Sequence, residues 1–250
     1  MLILPALRRR WAKGMDQSSR RTILKAGLAA SLTAGVPALA QEVRPPVFAG
    51  MHTPKPLTFD PSKLVGLSER LVMSHWENNY VGSVNALNMI EERLAKAMQN
   101  PDVHQLVYAG LKREELHRTG SVILHELYFE GLGGDGQPTG GMAIGIAQAF
   151  GSFEAWQAEF MRTARALGGG SGWVMLSYNL YTKSLHTYWA PDHMHNATMG
   201  VPLLALDMYE HSYHMDYGTK AMQYVDFFFK NVDWKIVNQR YTRARRMSEI

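Results

Sequence analysis

The stretch "GLGGDGQPTGG" occupies residues 131–141, and it divides the chain. Six glycines and a proline in eleven residues can hold neither a helix nor a strand, so this is a loop. On its N-terminal side, apolar residues recur at spacings of three and four. On its C-terminal side, helical patterns give way to short apolar runs bounded by turn residues. The loop therefore predicts an all-helical half followed by an α+β half.

Working back from the loop, residues 67–99 read as one long helix, with Leu71, Val84, Leu87, Ile90 and Leu94 on its apolar side. Asn100-Pro101 stops it, and Asp102 is the expected cap of a second helix running to about residue 130. Leu116, Gly120, Ile123 and Leu127 share one face of that helix. Two long helices joined by so short a link form an antiparallel hairpin. Working forward, a helix is expected at about 142–150. Gly151-Ser152 breaks the chain, and Ser152 caps a helix through about 167, which "GGGSG" (168–172) ends. Strand-like runs follow at 173–178, 185–189 and 201–206, enough for a small three-stranded antiparallel sheet. An amphipathic helix over about 211–229 and a short closing helix from Trp234 complete the chain. The expected organisation is 1–40 export signal, 41–66 extended Pro-rich arm, 67–138 helical hairpin and 139–250 α+β domain, with no internal repeat.

The N-terminal reading rests on "SRRTILK" (residues 19–25), an apolar stretch over 26–36, Pro37 and then Ala38-Leu39-Ala40. That is a charged region, a short hydrophobic region and an A-x-A site, with an Arg pair of twin-arginine type. A bilayer span needs about 20 apolar residues, so this run is too short to be one. Cleavage is expected near Ala40 and the product is expected to be periplasmic or secreted; Met15 is an alternative start. The whole chain carries 26 basic and 22 acidic residues, a net +4. Removing the seven basic residues and one acid of residues 1–40 leaves 19 against 21, a net −2. The positive charge thus belongs to the leader and makes no case for nucleic acid. The absence of cysteine excludes disulfides, thiolate ligands and Cys nucleophiles.

Ten histidines remain to be read. His75 stands in "MSHWENNY" and His125 in "ILHELYF", both among apolar residues. "LLALDMYEH" (203–211) carries Asp207 out of an apolar run and sets His211 four residues on. Alone, His75 and His125 read as hydrogen-bonded core residues, Asp207 equally as a helix cap, and His211 is ambiguous. Together they imply more. A carboxylate closing a buried strand needs compensation, because an unpaired buried charge is very costly. Three imidazoles and one carboxylate suit iron, manganese or zinc, not calcium, and the lack of thiolates argues against a closed structural zinc site.

These residues also carry a resemblance. "SHWENNYVGSVNALN", "LHELYF", "GGDGQPTG", "FGSFEAW", "GGGSGWVML" and "LDMYEHSYHMDY" make the chain resemble the iron/manganese superoxide dismutases over nearly its whole length after the leader. The resemblance implies that His75, His125, Asp207 and His211 bind one redox metal, iron or manganese with a lean to iron, with solvent as a fifth ligand. The substrate would then be superoxide. It also implies a homodimer, in which Glu210 is the interface acid that reaches the partner's third imidazole.

Departures from the family pattern are equally specific. Counted without gaps from His75, the family's gateway tyrosine falls on Ser83; Tyr80 is nearby as a possible substitute. Asn79 stands where a second histidine is usual. His214 replaces the tyrosine that reaches across the dimer, and Tyr209 replaces a tryptophan. The manganese-type glutamine position holds His193, the candidate for orienting solvent; the iron-type position holds Ser121. The steering arginine falls on Ala221. His52, His104, His117 and His186 read as surface or packing residues, and Trp173, Trp156, Phe150 and Phe153 as core. These departures keep a second reading open, a metal-binding relative with weak or no turnover in a structural or interaction role. A non-haem iron oxygenase is opposed by the third imidazole, and a zinc hydrolase by the lack of H-E-x-x-H.

Overall fold

The computed structural model describes residues 44–249. The expected leader, residues 1–40, and its cleavage site lie outside the described residues. Residues Val43–Ile250 form one compact unit. The arm over 44–66 is extended apart from two short 3-10 turns, Pro46–Phe48 and Pro61–Lys63. Glu91 and Asn88 pin it to the first long helix: Gly50 N–H donates to Glu91 at 2.7 Å, and His52 N–H donates to Asn88 Oδ1 at 2.8 Å.

The first long helix runs without a break from Glu69 to Met98 but is not α-helical throughout. Helix α1 (Glu69–Ser74), capped by Ser68 Oγ accepting from Leu71 N–H, opens into a π-helical segment, His75–Tyr80, and re-forms as α2 (Val81–Met98). After the Asn100-Pro101 turn comes α3 (Gln105–Glu130), antiparallel to α2. Its cap is His104, whose Nδ1 accepts from Leu106 N–H at 3.3 Å, and not Asp102. Asp102 is spent inside the turn, its N–H bound to Asn100 Oδ1. The buried face of α3 is also not the one expected. Leu116 and Ile123 are half exposed, while Ser121, Val122, Leu124, His125, Tyr128 and Phe129 are buried. The apolar spacing misled because the inward stripe of this helix carries polar site residues.

Beyond the loop lie α4 (Gly140–Phe150) and α5 (Phe153–Leu167), the latter capped by Ser152 as expected. The sheet follows: β1 (Trp173–Asn179), β2 (Ser184–Ala190) and β3 (Gly200–Asp207), antiparallel in the order β2-β1-β3. Every residue of β1 is buried, as a central strand covered on both faces requires. The register pairs Trp173 with both Ala190 and Asp207, so one end of the sheet gathers the start of β1 and the ends of its two neighbours.

The helix expected over 211–229 is broken. It resolves into a 3-10 turn Glu210–Ser212, a single turn α6 (His214–Tyr217) and α7 (Ala221–Lys230). Gly218, at φ 54°, makes the break, because that left-handed conformation ends a helix and suits glycine. The closing helix α8 (Trp234–Met247) is longer than expected. Its many arginines disguise an inward stripe of Trp234, Val237 and Ala244. Arg240 on α8 donates to the carbonyls of Leu127 and Leu203 and pairs with Glu130, joining the helical half to the sheet. The boundary at 138/139 accordingly separates kinds of element, while one hydrophobic core runs through both halves, from Leu71 and Tyr128 to Trp156, Trp173 and Phe228. Each fully buried Leu or Phe there contributes roughly 1.5–3 kcal/mol. Among the described residues no helix is long and apolar enough to cross a membrane.

Candidate metal centre

Four side chains from three regions of sequence meet in this core. His75 comes from the π-helical segment, where a widened turn sets the side-chain direction. His125 sits in the last third of α3. Asp207 is the final residue of β3, and His211 lies in the 3-10 turn after it. One ligand atom from each lies within 4.8 Å of all the others, the one such group of three or more His, Cys, Asp or Glu among the described residues. Asp207 Oδ2 is the hub. It lies 3.0 Å from His75 Nε2, 3.2 Å from His211 Nε2 and 3.6 Å from His125 Nε2. Asp207 is fully buried, His75 and His125 nearly so, and His211 is partly open to solvent.

The hydrogen bonds around the cluster settle its protons. His125 Nδ1 lies 2.7 Å from the Ser121 carbonyl, which can only accept, so Nδ1 carries the hydrogen. Burial pushes the His125 imidazole down to about 3, keeping it neutral. Its Nε2 is therefore a bare lone pair, buried and without a partner. Burial by itself would raise the Asp207 carboxyl, but the His211 charge and the hydrogen bonds from His211 and His75 outweigh it and hold Asp207 ionised, far below the usual range. Asp207 Oδ1 is occupied by Tyr209 N–H at 2.8 Å, and the Asp207 carbonyl by the hydroxyls of Tyr224 and Ser212. An orphaned imidazole nitrogen aimed at an ionised carboxylate flanked by two more imidazoles fits a divalent or trivalent cation.

His193, in the connection from β2 to β3, is buried beside this cluster, its ring centroid 5.7 Å from that of His125. Trp173 Nε1–H donates to His193 Nδ1 at 2.9 Å. An indole only donates, so His193 Nδ1 accepts and its proton resides on Nε2. Tyr209 stacks on the same ring at 4.6 Å.

Comparison with known proteins gives the same direction. The chain is 51% identical over 197 residues to superoxide dismutase [Fe] of Cupriavidus metallidurans, across 78% of this chain and 99% of that protein. The chain belongs to the iron/manganese superoxide dismutase family. Residues 138–240 match the model for "iron/manganese superoxide dismutases, C-terminal domain". Further relatives include superoxide dismutase [Fe] of Aquifex pyrophilus, 34% identical over 80% of this chain and 96% of its own length. Superoxide dismutase [Mn] 1 of Halobacterium salinarum is 36% identical over 78% of this chain and 96% of its own length.

Against the iron/manganese superoxide dismutase pattern, the positions singled out in the sequence fall as follows. Ser83 is buried with its hydroxyl 2.8 Å from that of Ser121. Ser121 lies one turn before His125 and also approaches its Nδ1, at 3.2 Å. Tyr80 is buried with its ring 6.4 Å from that of His125, but its hydroxyl is engaged elsewhere. It donates to Glu126 at 2.9 Å and accepts from Lys55 N–H at 2.8 Å. Burial, with Glu126 alongside, pushes this phenol up to about 12. Glu210 and His214 are exposed on either side of His211. Ala221 is buried at the start of α7.

Two side chains were undervalued in the sequence. His117, read as a surface or packing residue, sets its ring edge-on to His193 with centroids 4.8 Å apart. Its position two turns before His125 on α3 was the available signal. Trp173, read as core, is core, but its one polar atom determines the protonation of His193.

Proposed function

We propose that this chain disproportionates superoxide at a single iron or manganese ion held by His75, His125, Asp207 and His211. One superoxide is oxidised to dioxygen, and a second is reduced and takes up two protons to leave as hydrogen peroxide. The observation that carries this reading is the bare His125 Nε2 facing an ionised Asp207 between two further imidazoles. When bound, the metal supplies a one-electron couple, which zinc lacks.

The chain's own residues supply the rest. Asp207 contributes a fixed negative charge in a buried setting. Ser121 orients His125 through its carbonyl, which fixes the tautomer of the ligand. His193 holds a proton at Nε2 beside the centre, kept there by the Trp173 donor. Iron is the preferred metal in this reading, supported by the name of the 51%-identical relative. A homodimer is supported by the exposed Glu210 and His214 next to the partly open third imidazole. Export is supported by the Arg pair and A-x-A site of residues 19–40, which lead to a periplasmic or secreted protein.

A second reading, a metal-binding relative with slow turnover, is favoured by one observation. Ser83 offers a short hydroxyl, already bound to Ser121, where the family has a tyrosine. Metal analysis and superoxide consumption measured on the same purified sample decide between the two. About one iron or manganese per chain with rapid turnover supports the first reading. Metal without turnover supports the second, and absence of metal overturns both.

A further inference from the structure

Helix α3 contains two interior glycines, Gly110 and Gly120. Glycine weakens a helix interior, so each invites a reason. At Gly110 an added Cβ would meet nothing within 4 Å. At Gly120 it would lie 1.8 Å from the His193 carbonyl oxygen, 2.9 Å from the carbonyl carbon and 3.7 Å from Cα. Only hydrogen fits there. The main chain of residue 193 rests directly on the helix, five residues before the ligand His125.

The other contacts of His193 act on its ring. Trp173 fixes the tautomer, Tyr209 covers one face and His117 sets its ring edge-on. Behind it, Asp192 Oδ1 accepts from Met194 N–H and meets His195 Nδ1, both at 2.7 Å, which closes the turn locally. Of these only the His117 contact reaches α3, and a side-chain ring can rotate to yield, so it does not fix the distance between the turn and the helix. Gly120 does, because backbone against backbone leaves no flexible atom to yield.

We propose that Gly120 is a positioning residue, whose missing side chain seats the main chain of His193 against the helix that also carries His125 and so holds the His193 imidazole beside the metal centre. This rests on the reading of His193 as the residue that presents a proton there. A side chain at position 120 would lift the turn, and with it the imidazole, while leaving all four ligands in place.

The test is a double-mutant cycle on the full, metal-loaded chain with Gly120→Ala, His193→Ala and the pair, and Gly110→Ala as control. Readouts are metal content, kcat for superoxide across pH, and hydrogen exchange of residues 191–196 in the metal-free protein. Gly120→Ala is expected to retain metal, to lose tenfold or more in kcat and to speed exchange in 191–196. The pair should be within twofold of His193→Ala, and Gly110→Ala within twofold of the parent. Gly120→Ala indistinguishable from Gly110→Ala overturns the proposal, and so do losses that multiply in the pair. If His193→Ala is itself within twofold of the parent, the reading of His193 fails instead; exchange in Gly120→Ala still tests the seating, and parent-like exchange overturns it. Should Gly120→Ala not fold, adding His193→Gly lets the turn give way: restored folding supports the 120–193 contact as the cause, and continued failure overturns it.

Discussion

His75 Nε2 lies 3.0 Å from Asp207 Oδ2, although 132 residues separate them in the chain. Both groups are buried, and the hairpin and the sheet must dock correctly before they can meet. Asp207 is also the common neighbour of all three imidazoles, so its charge should matter more than that of any single histidine. Asp207→Asn keeps the size and the bond from Tyr209 N–H while removing the charge. It is expected to cut bound metal to below about a tenth of the parent's, as measured by elemental analysis. Full metal occupancy in Asp207→Asn would refute the role of the carboxylate as the compensating anion.

Metal binding should be visible as stability. A ligand that binds only the folded state at 100 times its dissociation constant adds about 2.7 kcal/mol. For a domain of this size each kcal/mol moves Tm by roughly 2–4 °C. Chelation is therefore expected to lower Tm by about 5–10 °C, reversed by adding iron or manganese. Calorimetry giving the same Tm with and without metal would count against a metal site in this core.

The acid limb of stability should report His193. Burial lowers its imidazole to about 4 from an ordinary 6.5, with the Asp207 charge opposing the shift. The folded state resists protonation that the unfolded chain accepts. The contribution of His193 is therefore complete above pH 6.5 and is lost as pH falls through 4. Thermal unfolding of the metal-free parent should weaken more steeply between pH 6.5 and 4 than that of His193→Gln. Parallel curves would show that His193 is not buried neutral.

Tyr80 separates structure from chemistry. Its hydroxyl joins Glu126 of α3 to the backbone of Lys55 in the arm. Tyr80→Phe leaves both groups short of a partner, at an expected cost of about 1–3 kcal/mol in chemical denaturation. Superoxide turnover should stay within twofold. A large loss of turnover at unchanged stability would instead identify Tyr80 as a group acting in the site.

Glu210 tests assembly. Exposed beside His211, it is free to bond a second copy of the chain. Glu210→Ala is expected to weaken self-association by at least tenfold, about 1.4 kcal/mol, in sedimentation experiments. An unchanged association constant would move the interface elsewhere.

Much of this protein follows from local rules. The glycine-rich loop at 131–141, the Ser152 cap, the three apolar runs that became strands and the break at Asn100-Pro101 are all short-range signals, set by which backbone angles and hydrogen bonds each residue allows. The ligand types were legible too, because a carboxylate at the end of an apolar strand cannot stand alone. Periodicity failed where the chain carries chemistry. On α3 the inward stripe holds Ser121 and His125, so the apolar pattern pointed to Leu116 and Ile123, which face outward. After β3, a helix expected from amphipathicity breaks at Gly218. What tertiary structure alone decided is which distant atoms meet. The pairing of Trp173 with Asp207 across the sheet, the hydrogen bond that Trp173 Nε1–H donates to His193 and the contact of Gly120 with the His193 main chain are long-range docking outcomes. No local preference encodes them, because each depends on packing elements whose sequences are far apart, and the hydrophobic burial that drives this packing is non-directional.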